Sequence, residues 1–206
     1  MKKLMYVVVI ALLVVAASAV PAKADTLVYD NGPINGNINA WTINFGFAVS
    51  DSFTVGAGIN NLTSVTVGLW AFPGDSLANV NWLIGTSFFG SDVSSGVSSS
   101  TNVFQYTNGY GYDIYESTFT ISGAVAPGTY YLTLQNANTF QGNPIYWDEN
   151  DGPSQAMENT VGSIGSQSFQ VYGTGNIQQT PEPASLLLLG SGLLGLAGGI
   201  RKRMKA

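Results

Sequence analysis

No cysteine and no histidine occur anywhere in the 206 residues. Without cysteine there is no disulfide framework and no thiolate nucleophile or ligand. Without histidine, the Ser–His and Cys–His catalytic pairs are excluded, as are His-ligated zinc sites. Positive charge is confined to the two ends of the chain: Lys2, Lys3, Lys23, Arg201, Lys202, Arg203 and Lys205. None lies in residues 25–180, where eight Asp and three Glu give a formal charge of −11. A segment with no cation cannot neutralise phosphates, so nucleic-acid binding is excluded as a function class. It can form no internal salt bridge. Anionic membranes and acidic polysaccharides repel it unless divalent ions bridge them. The chemistry left open is that of carboxylate pairs, as in glycoside hydrolysis, and of oxygen-ligated calcium.

A helical period is also missing from residues 25–180, and what takes its place has a period of two. Trp41, Ile43, Phe45, Phe47 and Val49 alternate with small and polar residues, which predicts a strand with one apolar face over 41–50. Further strands are predicted over 62–72, 81–89, 110–121, 129–135 and 167–172, and Pro73-Gly74-Asp75 and Pro127-Gly128 supply turns. Residues 90–101, rich in Ser and Gly, predict a flexible loop. Eight or nine short strands with Gly, Asn and Ser turns point to an all-β fold, an antiparallel, jelly-roll-like β-sandwich.

Both ends read as targeting segments. Residues 1–24 have a Lys2-Lys3 start, an apolar stretch over 4–15 and an Ala22-Lys23-Ala24 box. That is the pattern of a signal peptide removed by signal peptidase after Ala24. At the other end, Pro181-Glu182-Pro183 precedes a charge-free apolar run over 184–200, 17 residues long. This is about the shortest helix that can cross a bilayer roughly 30 Å thick. Arg201, Lys202, Arg203 and Lys205 follow as a cytoplasmic stop. Five glycines within the run weaken the helix, and Gly195 and Gly199 allow close packing against another membrane helix. The predicted organisation is a signal peptide (1–24), a β-sandwich domain (25–172), a linker (173–180) and a sorting tail (181–206).

The Pro-Glu-Pro tripeptide, the run Ala184-Ser185-Leu186-Leu187-Leu188-Leu189-Gly190 and the basic end together resemble the PEP-CTERM protein-sorting signal. The resemblance covers about an eighth of the chain. It implies recognition of the tripeptide by an exosortase, a membrane-embedded cysteine protease of Gram-negative bacteria that make exopolysaccharide, and removal of the tail. The implied route is export, a transient inner-membrane anchor, then the cell surface or extracellular matrix. The resemblance implies nothing about the activity of the folded domain.

Two constellations in that domain are candidates for chemistry. Asp148, Glu149, Asn150 and Asp151 precede Gly152 and suit a loop wrapping calcium, or equally a solvated acidic turn. No other cofactor is expected. Tyr110 and Tyr112 flank Gly111 at a loop–strand junction and, with Trp147, are candidate contacts for a glycan, whose apolar ring faces stack on aromatic side chains. Core packing is the competing role for all of the tryptophans. Three functions stay open. The first is a non-catalytic envelope or matrix protein, and the second a carbohydrate-binding module partnered by extracellular polysaccharide. The third is a glycosidase drawing on Asp113, Glu116, Asp148, Glu149 and Asp151.

Overall fold

A computed structural model describes residues 25–175. The predicted signal peptide, most of the predicted linker and the whole sorting tail with its predicted membrane helix lie outside the described residues. Thirteen strands occur in chain order: β1 (Thr26–Asp30), β2 (Asn39–Thr42), β3 (Ala48–Val55), β4 (Ile59–Ala71), β5 (Leu77–Gly85), β6 (Ser94–Thr107) and β7 (Asp113–Ala124). They continue with β8 (Gly128–Thr139), β9 (Ile145–Asn150), β10 (Ala156–Glu158), β11 (Gly162–Ile164), β12 (Ser166–Gln167) and β13 (Phe169–Gly175). All pairings are antiparallel, and no helix occurs among the described residues.

The strands form one curled sheet in the order β1-β13-β4-β7-β6-β5-β8-β3-β10-β11, with β2, β9 and β12 joined to it through β9 and β4. The pairs β5·β6, β4·β7 and β3·β8 nest one inside the next. The curl is made by β6, the longest strand. Its residues 94–99 pair with β5 and its residues 100–107 pair with β7, so one strand belongs to both halves. Gly96 makes this possible locally. A Cβ there would sit 2.6 Å from Cζ2 of Trp82, which lies across the strand and donates its indole N–H to Ser98 Oγ (2.9 Å).

The two halves close on a common core. Val65, Val67 and Leu69 of β4 face it from one side, and Val49, Phe53 and Val55 of β3 with Leu132 and Leu134 of β8 from the other. Phe53 meets Phe169 edge-on at 6.5 Å, and Phe169 meets Trp147 edge-on at 5.6 Å, so aromatic rings bridge the halves.

Several local expectations are corrected. The alternating run over 41–50 is two strands, because Phe45 (φ 54°) and Gly46 (φ 90°) are left-handed and break it; Phe45 and Phe47 are exposed. Residues 90–101 are mostly strand β6. Its Ser-rich sequence has no apolar period, yet β5 pairs with its first part and β7 with the rest. β13 runs to Gly175, so residues 173–175 of the predicted linker are sheet, paired with Leu62, Asn61 and Ile59.

Phe53→Ala should destabilise the fold by roughly 3–5 kcal/mol, the usual range for emptying a core aromatic site. Urea unfolding of the purified protein measures it. A loss under about 1 kcal/mol would mean that the halves do not depend on this bridge.

Candidate functional site

The strand β9 brings Trp147, Asp148, Glu149 and Asn150 into regular alternation, where the sequence predicts a cation-binding loop. Alternation separates the four predicted ligands. Asp148 is fully buried and accepts the indole N–H of Trp70 (2.5 Å) and the backbone N–H groups of Asn35 and Gly36 (both 2.7 Å). Glu149 points the other way and accepts the indole N–H of Trp41 (2.6 Å). Asn150 is buried and donates to the carbonyl of Asn31 (2.8 Å), and Asp151 is exposed. Among the described residues no group of three or more acidic side chains is placed to hold a metal ion. The competing role for this stretch, a solvated acidic turn, fits Asp151 alone: Asp148 and Asn150 are buried anchoring groups and Glu149 is half-buried.

Trp147 is likewise not a surface contact. It is fully buried, packs on Phe169 and donates its indole N–H to the carbonyl of Ser168 (2.9 Å). Tyr110 and Tyr112 do come together, beside two further aromatics, Trp70 and Tyr146. Tyr110 is 67% exposed and stacks on Trp70 at 5.8 Å with an interplanar angle of 20°. Tyr112 meets Tyr146 edge-on at 5.6 Å. With Ile38, Asn39 and Ala40 these four rings line an open cleft of about 370 Å³. No lining residue is ionisable as a carboxylate or a cation.

The cleft is assembled by hydrogen bonds from two loops. Asn108 accepts the backbone N–H groups of Tyr110 and Tyr112 (both 3.0 Å) and donates to the carbonyl of Gly36 (2.9 Å). The Tyr106 hydroxyl donates to the carbonyl of Asn35 (3.1 Å). Asp148 thus fixes the segment 35–36 from below, and Asn108 ties the tyrosine loop to it from the side. A second cleft of about 360 Å³ runs between residues 32–34 and the outer faces of β4 and β13, with Glu116 as its one carboxylate.

Four carboxylates are buried: Asp51, Asp75, Asp148 and Glu158. Burial pushes Asp148 up; the hydrogen bonds from Trp70, Asn35 and Gly36 offset only part of this. For Asp75 and Glu158 burial also acts upward, but hydrogen bonds outweigh it and both are held below the ordinary carboxyl range. Asp51 is pushed up to about 7 by burial, despite accepting the backbone N–H groups of Ser52 (2.6 Å) and Gln167 (2.7 Å). Asp51 escaped sequence reasoning, although its phase with Val49, Phe53 and Val55 marks an acidic residue on the core face.

Comparison with known families bears on the chain beyond these residues. A family model described as the PEP-CTERM protein-sorting motif matches residues 179–203. The chain carries a PEP-CTERM sorting motif. The match contains Pro181, Glu182 and Pro183 and the basic Arg201, Lys202 and Arg203. A PEP-CTERM tail implies export, membrane-anchored sorting and processing by an exosortase, a membrane protease. No curated protein matches the chain.

The raised Asp51 carboxyl gives a signed pH dependence. The folded chain keeps this proton at pH values where the unfolded chain has lost it. Its contribution is fully present below the ordinary value of 3.8 and is lost as pH rises through about 7. Asp51→Asn should remove that slope, and urea midpoints of both proteins across this window measure the difference. Parallel curves would mean that Asp51 is ionised in the folded protein.

Proposed function

We propose that the protein is an exported, non-catalytic component of the cell envelope or extracellular matrix, sorted and processed through its PEP-CTERM tail. The observation that carries this reading is the motif match over residues 179–203. Signal peptidase removes residues 1–24, and an exosortase-type protease acts at Pro181-Glu182-Pro183 while the apolar run 184–200 and the basic residues 201–205 hold the tail in the inner membrane. The mature domain is then released to the surface or the surrounding polymer. The nested strand pairs support the jelly-roll-like reading of that domain.

The non-catalytic part of the reading is supported by the chemistry of the clefts. Hydrolysis of a glycosidic bond uses two carboxyl groups flanking it. The aromatic cleft has none on its wall, and the second has Glu116 alone. Asp148 is sealed beneath Trp70, and Asp113 is engaged by the Thr107 hydroxyl (2.8 Å) and the Gly74 N–H (3.0 Å). No calcium is assigned a role.

A second reading, a carbohydrate-binding module, is favoured by Tyr110. Its ring is exposed and supported from behind by Trp70, which leaves one face available for a sugar ring. Asn39 lies on the same wall to meet hydroxyls. Under this reading Tyr110→Ala weakens retention on extracellular polysaccharide by about tenfold, equivalent to 1.4 kcal/mol, with an unchanged unfolding midpoint. Equal retention of both proteins would remove the aromatic cleft from consideration.

Intact mass tests the sorting reading. Protein recovered from the cell surface should end near residue 183, and a variant with Pro181, Glu182 and Pro183 all changed to Ala should keep its tail. A full-length C-terminus in both would make the tail a plain membrane anchor.

A further inference from the structure

A separate cleft of about 440 Å³ lies where the turn between β2 and β3 meets the middle of β5 and the end of β8. Its walls are dominated by side-chain amides, Asn44, Asn81, Asn136, Asn138 and Asn143, and it contains no ionisable group. Two of the amides build the walls. Asn44 donates to the carbonyl of Asn143 (3.1 Å), and Asn143 donates to Asp75 Oδ2 (3.0 Å). The others are free to act outward. Asn81 is half-buried and Asn136 exposed, and neither side chain bonds to any described residue. Asn138 spends one N–H on Asn79 (2.9 Å) and keeps its carbonyl oxygen.

The cleft is also where the fold departs from regularity. Phe45 and Asn136 are two of the three non-glycine residues with positive φ among the described residues, at 54° and 47°. Asn136 lies in a β-bulge, since the register passes from Asn79↔Asn138 to Asn81↔Gln135. Phe45 is held in the left-handed region with its ring 67% exposed on the cleft rim. A bulky residue there is strained, and an exposed ring gains no burial to offset it. The turn is closed by the Phe47 N–H on the carbonyl of Asn44 (3.0 Å), which holds the ring out on the rim.

We propose that this cleft is a binding site for an uncharged, polyhydroxylated ligand, a neutral glycan chain, distinct from the aromatic cleft and independent of the sorting tail. Amide groups donate and accept at once, as a sugar hydroxyl requires, and Asn81, Asn136 and Asn138 supply three from two neighbouring strands. Phe45 gives an apolar ring for the C–H face of one sugar unit. The absence of charge on the walls selects against acidic sugars, which the surrounding −11 segment also repels.

The test uses the full-length chain and a panel of linear hexasaccharides: glucans, mannan, galactan and, as the charged comparison, oligogalacturonate. Binding is followed by calorimetry and amide chemical shifts. At least one neutral hexasaccharide should bind and shift residues around Asn81 and Asn136, and oligogalacturonate should not. Phe45→Gly separates binding from folding. Glycine accepts the left-handed backbone, so the unfolding midpoint should hold or rise while binding weakens by about tenfold or more. Asn81→Ala should weaken binding similarly, and Tyr110→Ala should leave it unchanged. Loss of neutral binding only in Tyr110→Ala would overturn this proposal while supporting the aromatic cleft. No neutral binding in the wild type, or wild-type affinity in Phe45→Gly, would overturn it outright. None of these results bears on tail processing.

Discussion

With no cation between residues 25 and 180, every carboxylate that enters the interior must be held by N–H and O–H donors alone. A buried charge left without partners costs several kcal/mol, so the donors around each one are strongly fixed. Most of these donors are backbone groups in connecting segments. Asp148 takes Asn35 and Gly36, Asp75 takes Ser76 and Gln141, and Glu158 takes Thr160 and Val161, whereas Asp51 takes Ser52 and Gln167 from strands β3 and β12. The acidic residues therefore act as fasteners for loops in a protein that has neither disulfides nor salt bridges among its described residues. The aromatic cleft is one product of this arrangement, because its wall at residues 38–40 follows directly from the segment that Asp148 pins.

The class of the fold was readable because its strongest segments are half-buried strands. Val65, Val67 and Leu69 alternate with Thr66, Gly68 and Trp70, and the structure keeps that phase. What escaped reading had no apolar signal or a misleading one. β6 is Ser-rich and is held by backbone pairing with its chain neighbours β5 and β7, which local composition cannot register. Phe45 and Phe47 look in phase with Ile43, but positive φ at Phe45 and Gly46 turns the chain and leaves both rings in solvent. At the candidate site, Tyr110 and Tyr112 were legible from their glycine-flanked junction. Trp147 was not, since a strand buried on both faces reads locally like an acidic turn when Asp148, Glu149 and Asn150 follow it. The tail was the most legible part, because its meaning lies in linear order rather than in packing.

The two clefts with uncharged walls differ in what they offer. The aromatic cleft presents ring faces with little hydrogen-bonding capacity, and the amide cleft presents hydrogen-bonding groups with one ring. Neither depends on ionic attraction, so recognition at either would be insensitive to salt over a range where charge-driven binding is screened away. That suits a domain whose own charge of −11 would otherwise govern what it meets.

The last strand has a mechanical consequence. β13 is paired along both edges, with β1 on one side and β4 on the other, and the chain continues from its end toward the tail. A pull on the C-terminal end of the domain acts first on β13. Its two rows of hydrogen bonds must then be sheared together, since the strand cannot peel away from a free edge. Tension on the C-terminal end must therefore break two rows of hydrogen bonds rather than one to strip this strand from the sheet.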